Sequence, residues 1–72
     1  MTLDFVKKGQ KIEIINIPDD KIRIQAIRLG LCEGAVLMCS EKIPVGPIIL
    51  QNRMQEIAIG RKLAEQIEIR LV

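Results

Sequence analysis

Along the chain, apolar residues recur with a period of two in several short stretches and with a helical period in one. Lys11 to Ile17 alternates through Ile12 and Ile14, slips at Ile15 and resumes at Ile17, which predicts a strand with a bulge or a strong bend. Pro18 stops it, and Asp19-Asp20 supply an N-cap with acidic charge at the positive end of the next element. From Lys21 to Leu29 the spacing is helical, with Ile22, Ala26 and Leu29 on one face, the expected core face. Ile24 and Ile27 fall on roughly the opposite side. Two readings follow: Ile27 is half-buried under the sheet and Ile24 a stray surface residue, or Ile24 with Arg23 and Arg28 forms a partner-binding patch. The helix ends in Leu29-Gly30-Leu31. Gly30 suits the left-handed position past a helix, and Leu31 folds back onto its last turn. Gly34 reverses the chain into the next strand, so the helix reads as a structural plug between two strands.

Ala35 to Lys42 is predicted as the second strand, Ile48 to Asn52 as the third and Glu56 to Ile59 as the fourth. Between the second and third lies Ile43-Pro44-Val45-Gly46-Pro47, whose prolines fix backbone angles and whose glycine permits reversal. Gly60 to Gln66 is a helical turn. Ile67 to Val72 closes the chain, Ile67, Ile69 and Leu71 alternating with Glu68 and Arg70. Thr2 to Gly9 reads as a lead-in strand or turn. The fold class is mainly β, about five strands with one short helix after the first barrel strand and a helical turn before the last. A closed or nearly closed barrel would remove the edges that a flat sheet of isoleucines exposes to aggregation. No internal repeat or linker interrupts residues 1–72, so one domain is expected.

Composition narrows the function. Of the 72 residues 49% are hydrophobic and 1% aromatic, the one ring being Phe5, so the core is aliphatic and β-branched. A chain this short buries only about 60% of its unfolded surface, which implies a stability of about 4–7 kcal/mol. Eleven basic and nine acidic residues give a net charge of +2, interspersed rather than clustered. Without a basic stripe or aromatic stacking platforms, Lys7, Lys8 and Lys11 are weak support for nucleic-acid binding. The N-terminus has no signal-peptide pattern and no apolar run spans a membrane, so a cytosolic protein without membrane insertion is expected. There is no histidine, no base to activate Ser40 or Thr2, and no phosphate-binding glycine loop, so no catalytic residue is assigned. Cys32 and Cys39 are too far apart for a zinc knuckle. Cys39 shares a strand face with Leu37 and reads as core, whereas Cys32 is exposed. No cofactor is expected. Glu33 and Glu41 with the two thiols would make at most a weak or transient divalent site, ferrous iron included.

These residues together resemble the FeoA family, the small proteins that accompany the bacterial ferrous-iron transporter FeoB. The resemblance runs from Thr2-Leu3 to Ile69. It is carried by Leu3 with Lys8-Gly9, by Ile14 and Ile17, and by Leu29-Gly30-Leu31 with Gly34. It continues through Pro44, Gly46 and Pro47, Ile57-Ala58-Ile59, and Ala64 with Ile67 and Ile69. It implies an SH3-like barrel and a cytosolic accessory protein that contacts the transporter through the latter's GTPase portion. The same module occurs at the C-terminus of metal-dependent repressors, which implies the alternative of a free-standing metal-responsive regulator. Met54-Gln55 stand where many relatives have glycine and often an aromatic. Gly60 and Lys62 reverse the charge of the turn before Ala64, and Ile24 occupies a helix position often basic in relatives. With no tyrosine or tryptophan, recognition of Pro-rich ligands by an aromatic groove is excluded. The candidate partner surface is therefore Arg23, Ile24, Ile27 and Arg28 on the helix, with Pro44, Val45, Gly46 and Pro47 in the turn. Self-association is left open.

Overall fold

Hydrophobic alternation settles into five antiparallel strands in the computed structural model, which describes residues 1–53 and 55–72. The strands are β1 (Lys11–Asn16), β2 (Val36–Lys42), β3 (Ile48–Asn52), β4 (Gln55–Ile59) and β5 (Glu68–Leu71). The nine-residue helix α1 (Asp20–Arg28) lies between β1 and β2, and the single turn α2 (Arg61–Ala64) between β4 and β5. The spatial order is β4-β3-β2-β1-β5. The expectation at Met54 lies outside the described residues.

The core follows from the pleat. Ile12 and Ile14 of β1, Leu37 and Cys39 of β2, Ile48 and Leu50 of β3, Ile57 and Ile59 of β4 and Ile69 of β5 all point inward and are buried. Register shifts at Ile15 in β1 and at Ser40 in β2 interrupt the regular pairing, and the one in β1 brings Ile17 back to the inner side. β4 and β5 are the edges of the sheet, and the N-terminal segment covers part of the β5 edge. There the Leu3 amide donates to the Ile67 carbonyl at 2.9 Å and the Ile69 amide to that of Met1 at 2.7 Å. This pairing, with a bridge from Thr2 to Glu68, leads into a 3₁₀ turn at Leu3–Phe5 where a lead-in strand or turn was expected.

α1 is capped as its sequence requires. The Asp19 carboxylate accepts from the Lys21 and Ile22 amides at 2.8 and 3.1 Å. At the other end Gly30 has φ +85°, its amide donating to Ile27 and the Leu31 amide to Ala26, the paired hydrogen bonds of a Schellman motif. Three expectations are corrected here. Leu29, placed on the core face, is 38% exposed, because the chain must turn out at the cap before Leu31 turns in. Ile27 is not under the sheet but 54% exposed. Leu71, at the fraying end of β5, is 48% exposed rather than inward like Ile67 and Ile69. The plug is therefore narrow: Ala26 and Leu31 are fully buried, Ile22 packs beside them, and the rest of the helix surface faces out.

Candidate functional site

The outer face of α1 presents Ile24 and Ile27, each 54% exposed, with Arg28 beside them. Arg23, expected on the same patch, is engaged elsewhere. Its Nε and Nη2 donate to the Ile17 carbonyl at 3.2 and 3.1 Å, and its Nη1 lies 3.4 Å from the Asp20 carboxylate. That fixes the link between β1 and the helix and leaves Arg23 little freedom to meet a partner. Next to Arg28, Leu29 and Gln25 line a shallow groove with Leu63, which follows directly on the first residues of α2.

The connection from β2 to β3 is built differently. The Gly46 amide donates to the Ile43 carbonyl at 2.8 Å, with Pro44 second and Val45 third in the turn. Val45 has φ +60°, the left-handed conformation that a type II turn demands at its third position and that glycine or asparagine normally fills. The side chain of Val45 is 99% exposed. Gly46, read from sequence as the reversing residue, has a different duty: a Cβ there would sit 2.8 Å from Cγ2 of Ile43, so glycine is needed for close approach. Gly46 and Pro47 are half-buried, and Pro44 is exposed. Arg61 at the start of α2 then grips the turn from behind, Nε donating to the Gly46 carbonyl at 2.7 Å and Nη2 to that of Ile43 at 2.9 Å.

No hydrogen bond or ion pair among the described residues joins α1 to the 43–47 turn. The two candidate surfaces are separately held. The residues weighed as metal ligands are not gathered either, and no group of three or more possible ligands occurs among the described residues. Cys32 is exposed, Cys39 is buried with its thiol donating to the Glu41 carbonyl at 3.4 Å, and the Glu41 carboxylate lies 3.4 Å from Lys8. Burial pushes the Cys39 thiol up from its ordinary value, against the opposing pull of that hydrogen bond and of Lys42. A thiol so placed is protonated at neutral pH and a poor metal ligand.

The family model of the FeoA domain matches residues 1–71. The chain belongs to the FeoA family. Superposed on a crystal structure of an iron uptake regulatory protein, FeoA, it gives a TM-score of 0.90 at 30% identity, covering all of this chain and 97% of the other. A FeoA protein from Chlorobium tepidum is 27% identical with a TM-score of 0.83, over all of this chain and 70% of that one. A FeoA-like protein from Clostridium acetobutylicum shares the fold at 23% identity and a TM-score of 0.87, over all of this chain and 86% of its own. No curated protein matches the chain. The family is associated with ferrous-iron uptake as an accessory domain, and its small β fold is the SH3-like one expected. No described helix is long and apolar enough to cross a membrane.

Two features of the turn escape a reading by composition. Arg61 and the carbonyls it holds are far apart in sequence, so nothing local announces the grip. The conflict at Val45 has a sequence signal: Pro44 favours the second position of a tight turn, which leaves a β-branched residue third.

Proposed function

We propose that this FeoA-family protein is a non-enzymatic cytoplasmic accessory of bacterial ferrous-iron transport. It acts as one FeoA-like module over residues 1–72, by direct contact with the transporter FeoB, probing the latter's cytosolic GTPase portion with exposed aliphatic side chains. The observation that carries the reading is the pairing of family membership with Ile24 and Ile27. These are two large aliphatic residues on the outer face of a helix whose ends are both fixed by capping. Such side chains lose water contact at a gain only when a partner covers them. Arg28 flanks them, and the turn at Pro44, Val45, Gly46 and Pro47 is the second surface. A metal-responsive regulator is the weaker reading, since Cys39 is buried and protonated, and Cys32 and Glu33 belong to no group of three or more possible ligands among the described residues.

An amide NMR titration of the labelled protein with the cytosolic GTPase portion of its own organism's FeoB tests this. Shifts clustered on residues 24–28 or 43–47 support the contact. No shifts at high micromolar concentration would remove the GTPase portion as partner and bring the metal-responsive reading forward.

A further inference from the structure

The 43–47 turn combines features that oppose one another energetically. A β-branched residue at φ +60° is strained, because its Cβ approaches the carbonyl oxygen that follows. In most folds the third position of such a turn is glycine or asparagine, and the side chain of Val45 itself gains nothing by packing, being 99% exposed. The conformation persists because it is over-determined. Pro44 and Pro47 restrict the backbone on either side, Gly46 packs against Ile43, and the Ile43 amide donates to the Pro47 carbonyl at 3.2 Å. The guanidinium of Arg61 holds two turn carbonyls at once. Strain maintained by its surroundings at an exposed side chain points to a use for that side chain.

The chemistry of the tip indicates what it fits. From Ile43 to Asn52 the chain has no charged residue, and Ile43 and Pro44 next to Val45 are exposed. Arg61, the cation that holds the turn, has no carboxylate in ion-pair range among the described residues and directs its donors into the turn's own carbonyls, and Lys42 before the turn donates to the Asp4 carbonyl. The tip is thus a neutral aliphatic knob whose flanking carbonyls, those of Ile43 and Gly46, are held by Arg61. It suits an uncharged apolar pocket on a protein. It lacks the broad apolar face and the basic flank that hold a protein on a lipid surface.

We propose that Val45 is an anchor side chain that inserts into an apolar pocket of the partner protein, and that Arg61 is the positioning residue that presets it. Because the turn is fixed before contact, little conformational freedom is lost on binding. The proposal rests on the reading that the partner is the ferrous-iron transporter.

Its test uses the full-length protein, the full-length transporter of the same organism in nanodiscs, and three variants: Val45→Asn, Val45→Ile and Arg61→Met. Asparagine tolerates the left-handed conformation, so Val45→Asn raises the melting temperature, by roughly 4–8 °C for strain of the usual size. It also weakens transporter binding at least tenfold. Val45→Ile retains the affinity, and Arg61→Met speeds amide exchange at Ile43, Val45 and Gly46 and weakens binding while Val45 is still present. A merely structural turn would gain stability in Val45→Asn and keep its affinity, which overturns the proposal and leaves the transporter reading intact. Wild-type protein that fails to bind the transporter overturns both. Co-sedimentation with phosphatidylserine vesicles that is lost in Val45→Asn would make the tip a lipid anchor and overturn the protein pocket.

Discussion

The α1 face and the β2–β3 turn both display aliphatic side chains, yet they are held by different means. α1 is secured at its ends, by Asp19 at the start and by the Gly30–Leu31 motif at the finish, and between them by Ile22 and Ala26 on the core and by Arg23 on the Ile17 carbonyl. The turn is secured on both sides of Val45, by prolines, by the Gly46–Ile43 contact and by Arg61. Exposure alone therefore does not distinguish a binding surface from an incidental one. On α1 the exposed isoleucines sit in relaxed helical geometry, whereas at the turn the exposed valine is held against its own preference. The second arrangement is the harder to explain without a ligand.

The difference can be broken most severely at the root of α1. Leu31→Ala empties a fully buried site at the Schellman motif and should cost about 2–5 kcal/mol. In a domain of this size that approaches the whole stability, so urea unfolding should show a strongly lowered midpoint. A loss under 1 kcal/mol would mean that Leu31 is not the anchor of the helix end. Gly46→Ala attacks the turn instead. Its new Cβ would meet Ile43, with an expected cost of about 1–3 kcal/mol and wide chemical-shift changes from Ile43 to Ile48. Unchanged stability would show that the turn can yield and that its rigidity is overstated.

Smaller effects sharpen the contrast at the surface. Ile24→Asp should leave stability within about 0.5 kcal/mol, as expected of an exposed helix position, while abolishing transporter binding. Unaltered affinity would dismiss the helix face and leave the turn as the surface to pursue. The least perturbing probe is pH. The Cys39 thiol is raised in the folded protein, so the folded state holds its proton more tightly than the unfolded chain does. Its contribution is fully present below the unfolded thiol value of 9.0 and is lost as pH rises through the higher folded value. Thermal unfolding should therefore show a decline above about pH 9 that Cys39→Val reduces. At neutral pH a thiol reagent should label Cys32 quickly and Cys39 only on unfolding.

Local chemistry made much of the fold legible. The inward isoleucines, the bulge at Ile15, the Asp19 cap and the Gly30 stop each depend on neighbours a few residues away, and each is where the pattern of the chain places it. The candidate site was less legible. Arg23 falls in the candidate patch as a neighbour of Ile24, and only the fold shows its guanidinium on the Ile17 carbonyl. Leu29 and Leu71 satisfied the periodicity and are still half-exposed, because helix caps and strand ends depart from the ideal repeat.

Which segments become strands and which the helix is thus written in short-range pattern, since a two-residue or a helical period and its stop signals act over single turns of backbone. Which exposed side chains are held rigid depends instead on contacts between distant parts of the chain. Arg61 reaches Ile43 and Gly46 across 18 and 15 residues. Lys42 likewise donates to the Asp4 carbonyl across 38 residues, tying the 3₁₀ turn to the end of β2. Hydrogen bonds over such separations exist only once the sheet has folded and brought their partners together, so no local period encodes them.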